Sequence, residues 1–146
     1  MTHGNAGAVL ERHAVDGYTS ALRGPFNGSQ LTRLSQALSA AEFETGLQFS
    51  VYVGELNADA EKDVPATTVA ARGFHSELSR TDEAVLIAVS PNQRVVEIVT
   101  GRNAAKLLDD RACGLAALSA AASFAGGDLA GGIVTALRML AERARR

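Results

Sequence analysis

The sequence predicts an α/β fold: a three-layer α/β/α sandwich around a mixed sheet that contains a central hairpin. Three observations carry that expectation. Residues 84–89 are an unbroken apolar run, as expected of a strand covered on both faces. Ser90-Pro91-Asn92-Gln93 follows as a turn, because Pro presets φ at the second turn position and Ser and Asn suit the positions around it. Residues 94–100 then return as a β-branched strand, so the pair reads as an antiparallel hairpin. Around this hairpin, helical and strand periodicities alternate as helix, strand, helix, strand, strand, helix, helix, which is the pattern of helices packed around one sheet.

The chain has 146 residues, 47% of them apolar, and a formal net charge of −2. That length suits one domain with a real core, and the charge balance argues against a dedicated nucleic-acid binder. The locally basic tail, Arg138, Arg143, Arg145 and Arg146, is interrupted by Glu142 and reads as a solvated helix end that complements the helix dipole. One cysteine, Cys113, excludes an intramolecular disulfide and reads as a small buried hydrophobe. The opening MTHGNAGAVLERHAVDG lacks the basic start and apolar run of an export signal. Residues 112–127 are uncharged but rich in Ala, Gly and Ser, and shorter than the roughly 20 residues of a span. A soluble, cytoplasmic protein without a membrane span is expected.

Residues 1–28 form an N-terminal segment, partly flexible, and 29–146 the folded domain. Residues 1–8 read as frayed, and 9–22 as a helix or a mixed segment with a short strand. Gly24-Pro25-Phe26-Asn27-Gly28 breaks the chain. Ser29 is the expected N-cap of a helix whose apolar stripe is Leu31, Leu34, Leu38 and Ala41, closed by Thr45-Gly46. The period then switches to two: Leu47, Phe49, Val51 and Val53 face one way, Gln48, Ser50 and Tyr52 the other. Residues 54–64 are an acidic, solvated loop. Pro65 suits the first turn of a helix that ends near Leu78. Gly73 inside it implies tight packing or a kink, and His75 reads as a surface or interface residue. After the hairpin, Asp109 is the expected N-cap of a helix over 110–122, with Leu115, Leu118 and the alanines as its buried side. Gly126-Gly127-Asp128 turns the chain, and Asp128 caps a last helix carrying Leu129, Ile133, Leu137 and Leu140.

These local signals resemble the TPM domain family over most of the chain, from about Ser29 to Ala141. The carriers are Glu44-Thr45-Gly46 before an apolar strand, Asp82-Glu83-Ala84 before the strand and Pro91 turn, and Leu108-Asp109-Asp110 opening a helix after Gly101. Gly127-Asp128-Leu129-Ala130-Gly131 is the fourth. The sequence departs from the family where Asn and Gly are expected after Asp82, and in the glycine-rich loop, where only Gly101 remains ahead of Arg102-Asn103-Ala104-Ala105. It resembles a divergent bacterial branch, one suited to actinobacteria by its Ala, Arg and Gly content.

The resemblance implies an accessory domain that binds and modulates a protein partner without catalysis. It also implies calcium at Asp82, Glu83, Asp109 and Asp110, since calcium takes six to eight oxygens from carboxylates, carbonyls and water. The open end of the hairpin should bring Asp82 and Glu83 near the loop after Thr100. The other reading is that Asp109 caps a helix and Asp82 a turn, with no metal. A weak metal-dependent acid phosphatase is a further alternative, with Arg94 and Arg102 as phosphate contacts. No phosphate-cradling glycine loop and no nucleophile signature accompanies it. The expected ligand or partner rim comprises Arg94, Arg102 and Asn103 beside the acidic residues. The sequence names neither the partner nor the oligomeric state.

Overall fold

A computed structural model of the chain describes residues 8–11 and 25–146. The expectations for 1–7 and 12–24 lie outside the described residues. Among the described residues the fold is mixed α/β with four α-helices. In chain order the elements are β1 (Ala8–Glu11), α1 (Gly28–Thr45), β2 (Gln48–Val53), α2 (Ala66–Ser76), β3 (Ala84–Ser90), β4 (Val95–Thr100), α3 (Asp110–Ala125) and α4 (Leu129–Ala144).

The strands lie in the order β1-β2-β3-β4. β2 and β3 run parallel, joined through α2, and β3 and β4 are the antiparallel hairpin. β1 pairs antiparallel with β2 at the outer edge. Successive side chains of a strand point to opposite faces, and both faces of β2 and β3 are buried. Phe49, Val51, Val85, Ile87 and Val89 join one cluster with residues of α1, α3 and α4. Tyr52, Leu86 and Ala88 join a second with Ala70, Ala71 and Phe74 of α2 and with Leu56. Burial on both faces is why residues 84–89 carry no polar alternation.

Several helix boundaries differ from the sequence reading. Asn27, not Ser29, caps α1: its side chain accepts from Gln30 N–H at 2.8 Å, and the Gln30 side-chain oxygen Oε1 accepts from Asn27 N–H at 2.8 Å. This reciprocal box satisfies two donors, one more than a lone capping serine would. Pro65 precedes α2 as its extended N-cap rather than lying in its first turn, and α2 ends at Ser76. At the far end of α1, Gly46 closes the helix at φ 78°, as the Thr45-Gly46 signal implied.

Gly73 corrects a further expectation. A Cβ built there meets nothing within 4 Å, so the glycine serves no close approach. Gly73→Ala should therefore raise stability by about 0.5–1 kcal/mol, the helix-propensity difference alone. Chemical denaturation would show it as a higher midpoint at unchanged slope.

His75, expected at a surface or an interface, is 6% exposed and packed within the fold. Its Nε2 lies 3.0 Å from the Ala84 carbonyl at the start of β3, which ties α2 to the sheet.

Candidate functional site

The hairpin's open end is built by a steric fit. Gly101 N–H donates to the Ala84 carbonyl at 2.9 Å, and Asn103 N–H to the Asp82 carbonyl at 2.9 Å. The Asn103 side-chain amide also donates to the Glu83 carboxylate. A Cβ on Gly101 would lie 1.9 Å from the Thr81 carbonyl oxygen and 2.6 Å from that of Asp82. Only a residue without a side chain lets the loop after β4 lie against the 3-10 turn Thr81–Glu83. Asp82, Glu83 and Asn103 therefore meet, as the hairpin geometry implied, and Arg102 is exposed beside them.

The other predicted residues are placed elsewhere or engaged otherwise. Asp109 caps α3, accepting from Ala112 N–H at 2.9 Å, and lies 4.0 Å from Arg143 of α4, with both side chains exposed. Asp110 occupies the first position of α3, where a carboxylate complements the helix dipole. Arg94 lies at the closed end of the hairpin, next to the Ser90–Val95 pair, whereas Arg102 follows the Val85–Thr100 end. Five residues of strand, roughly 17 Å, separate those ends. The two arginines therefore do not share one rim. Among the described residues, no three His, Cys, Asp or Glu side chains gather as a group that could hold a metal ion.

The closed end holds contacts the sequence did not reveal. The Gln93 side-chain oxygen accepts from Leu56 N–H at 2.8 Å and from the Ser90 hydroxyl at 2.6 Å, and its amide nitrogen donates to the Leu56 carbonyl at 3.2 Å. A turn glutamine thus serves both backbone groups of buried Leu56 and holds the acidic loop onto the hairpin. Nearby, Glu97 of β4 accepts from the hydroxyls of Thr67 and Thr68 in the first turn of α2, at 2.9 and 3.0 Å. Neither contact has a local sequence signal, because the partners are 29 to 37 residues apart. The basic tail is likewise specific: the Arg146 guanidinium donates to the Phe43 carbonyl at 3.0 Å, at the C-terminal end of α1.

The outer face of α3 overturns the expected burial of its leucines. Ala116 and Ala120 face the core, while Leu115 is 49% and Leu118 69% exposed. The physical reason is close packing. Phe124 of α3 lies so near α4 that a Cβ on Gly132 would sit 2.6 Å from its ring, and alanines, not leucines, fit that crossing. Arg111, Ala121, Ala122 and Ala125 complete the exposed face. Beside it, Arg111, Leu115, Met139 and Arg143 line a groove of about 470 Å³ that Asp109 and Ala112 also border.

Cys113 is half-buried on the same helix. Burial first, then the nearby charges of Asp110 and Asp109, push its thiol up to about 11. At neutral pH only about one thiol in ten thousand is then ionised, so it is a poor nucleophile. Alkylation by iodoacetamide should be slow at pH 7.5, rise about tenfold with each pH unit and level off only near pH 11. Labelling as fast as a free cysteine at pH 7.5 would contradict this.

No helix of the described residues is long and apolar enough to cross a membrane. Two solution NMR structures share the fold. The N-terminal domain of a protein from P. gingivalis matches at TM-score 0.64 and 19% identity, over 82% of this chain and 76% of that one. The N-terminal domain of the cg2496 protein from Corynebacterium glutamicum matches at TM-score 0.61 and 16% identity, over 83% and 75%. At these identities the likeness concerns the fold alone. Two uncharacterized proteins from two strains of Mycobacterium tuberculosis are 32% identical to the chain over 116 residues. The match covers 80% of this chain and spans about 65% of the length of those relatives. A family profile described as a domain of unknown function, DUF5130, matches residues 4–141. By that match, covering nearly the whole sequence, the chain belongs to the DUF5130 family.

Proposed function

We propose that the chain is a TPM-like accessory domain, a three-layer α/β/α sandwich that binds a protein partner and modulates it without catalysis. The observation that carries this is the outer face of α3. Leu118 and Leu115 stand exposed one turn apart, flanked by exposed alanines, on a helix whose opposite side buries Ala116 and Ala120. Contiguous exposed apolar surface of this kind marks an interaction site. Leu118→Asp tests the reading. A surface change of this kind alters stability by no more than about 0.5 kcal/mol, so the melting temperature should move by under about 2 °C. Partner capture should nonetheless be lost. Capture that is retained at full strength would overturn α3 as the binding face.

A second reading is favoured by the meeting of Asp82 and Glu83 with the loop at Gly101 and Asn103. It places calcium among Asp82, Glu83, Asp109 and Asp110, with metal-dependent phosphoryl hydrolysis as its catalytic form. Asp109 would then have to bind the ion while capping α3. A calcium-specific rise in melting temperature of several degrees, lost in Asp110→Asn, would support this reading. Phosphate release that fails in Asp82→Asn and Asp110→Asn would add the enzyme.

A further inference from the structure

We infer that the partner element received by α3 is an amphipathic helix with acidic side chains at both ends of its apolar stripe; this rests on α3 being the docking face. Leu115, Leu118 and Ala121 form an i, i+3 row, and such rows are the ridges beside which another helix seats its own side chains. The row leads from one groove into another. At its start lies the groove of Arg111, Leu115, Met139 and Arg143. At its end lies a second groove of about 450 Å³, in which Arg94 borders Val96, Ala121, Phe124 and Leu129.

The middle of an α-helix has no free backbone hydrogen-bonding groups to offer. A partner lying across α3 must therefore satisfy its own backbone, which a helix does and an extended segment does not. The charges then set the chemistry of its ends. Three arginines, Arg94, Arg111 and Arg143, line the two grooves against one acid, Asp109, and that acid already caps α3. No acid lines the second groove. A second copy of α3 fits poorly. It carries acids only at its start, so an antiparallel pair sets Arg111 against the uncharged Phe124-Ala125 end. From Arg111 to Ala125 is roughly 20 Å, about fourteen residues of partner helix.

The test uses a display library of fourteen-residue helical peptides, selected on the wild-type chain and counter-selected on Leu118→Asp. Selected peptides should carry Glu or Asp at both ends of an apolar stripe. Their affinity should fall about tenfold or more with Leu118→Asp. It should also fall with Arg94→Glu and with Arg111→Glu, and return when the facing peptide acid is changed to Lys. Peptides that depend on Leu118 but show no acidic bias and no response to the arginine changes would overturn the acidic helix while leaving α3 as the docking face. If no selected peptide depends on Leu118, both the inference and the docking face fall.

Discussion

Gly101→Ala should cost at least about 3 kcal/mol, more than any surface change, because the added methyl has nowhere to go. Its Cβ would lie 1.9 Å from the Thr81 carbonyl oxygen. That oxygen belongs to backbone, so no side chain can swing aside to make room. The loop after β4 must lift, and the bonds from Gly101 N–H to Ala84 and from Asn103 N–H to Asp82 go with it. At 2–4 °C per kcal/mol for a chain of this size, the melting temperature should fall by roughly 6–12 °C. A change in the same direction and size as Gly73→Ala would show that the close approach at residue 101 is absent in solution.

Tyr52→Ala should cost about 3–5 kcal/mol, the range for emptying a large aromatic site. Tyr52 is fully buried and stacks on Phe74 of α2 with ring centres 4.2 Å apart. It is the largest side chain of the cluster that holds α2 to the sheet. Its hydroxyl donates to the Glu55 carbonyl at 2.7 Å, so Tyr52→Phe keeps the packing and should lose only about 1 kcal/mol. Tyr52→Phe and wild type also separate by pH. Burial, reinforced by the charge of Glu55, raises the phenol above its ordinary value of 10.0. The folded chain then holds this proton more tightly than the unfolded chain. That contribution is complete below about pH 10 and is lost as pH rises through the folded value. Tyr52→Phe should therefore lose less stability than wild type between neutral pH and pH 11. Equal losses would show that the phenol is not buried.

The sequence revealed most where local chemistry decides the structure. The hairpin was legible because Ser90-Pro91-Asn92-Gln93 encodes its own turn, and α3 and α4 because Asp109 and Asp128 each cap their own helix. The cap of α1 was misplaced because Asn27 and Ser29 are both good caps, and only the reciprocal bond with Gln30 distinguishes them. The buried side of α3 was misread for a different reason. Alanine dominates every face of that helix, so hydrophobicity alone points to the leucines. Packing distance to α4 decides instead for Ala116 and Ala120. The contact of Gln93 with Leu56 and the burial of His75 depend on chain segments brought together only by the fold. The approach of Asp82 and Glu83 to the loop at Gly101 was legible, since a hairpin joins its own ends.

The proposed binding role distinguishes two surfaces: the outer face of α3, and the polar rim at Asp82, Arg102 and Asn103. A photo-crosslinking residue placed singly at positions 118, 102 and 72 in the host cell asks directly which of them meets the partner. Position 118 reports α3, position 102 the rim, and position 72 the exposed side of α2. A discrete adduct is expected from position 118 and none from 102 or 72. An adduct from position 102 with none from 118 would contradict that expectation, and would move the working surface to the open end of the hairpin.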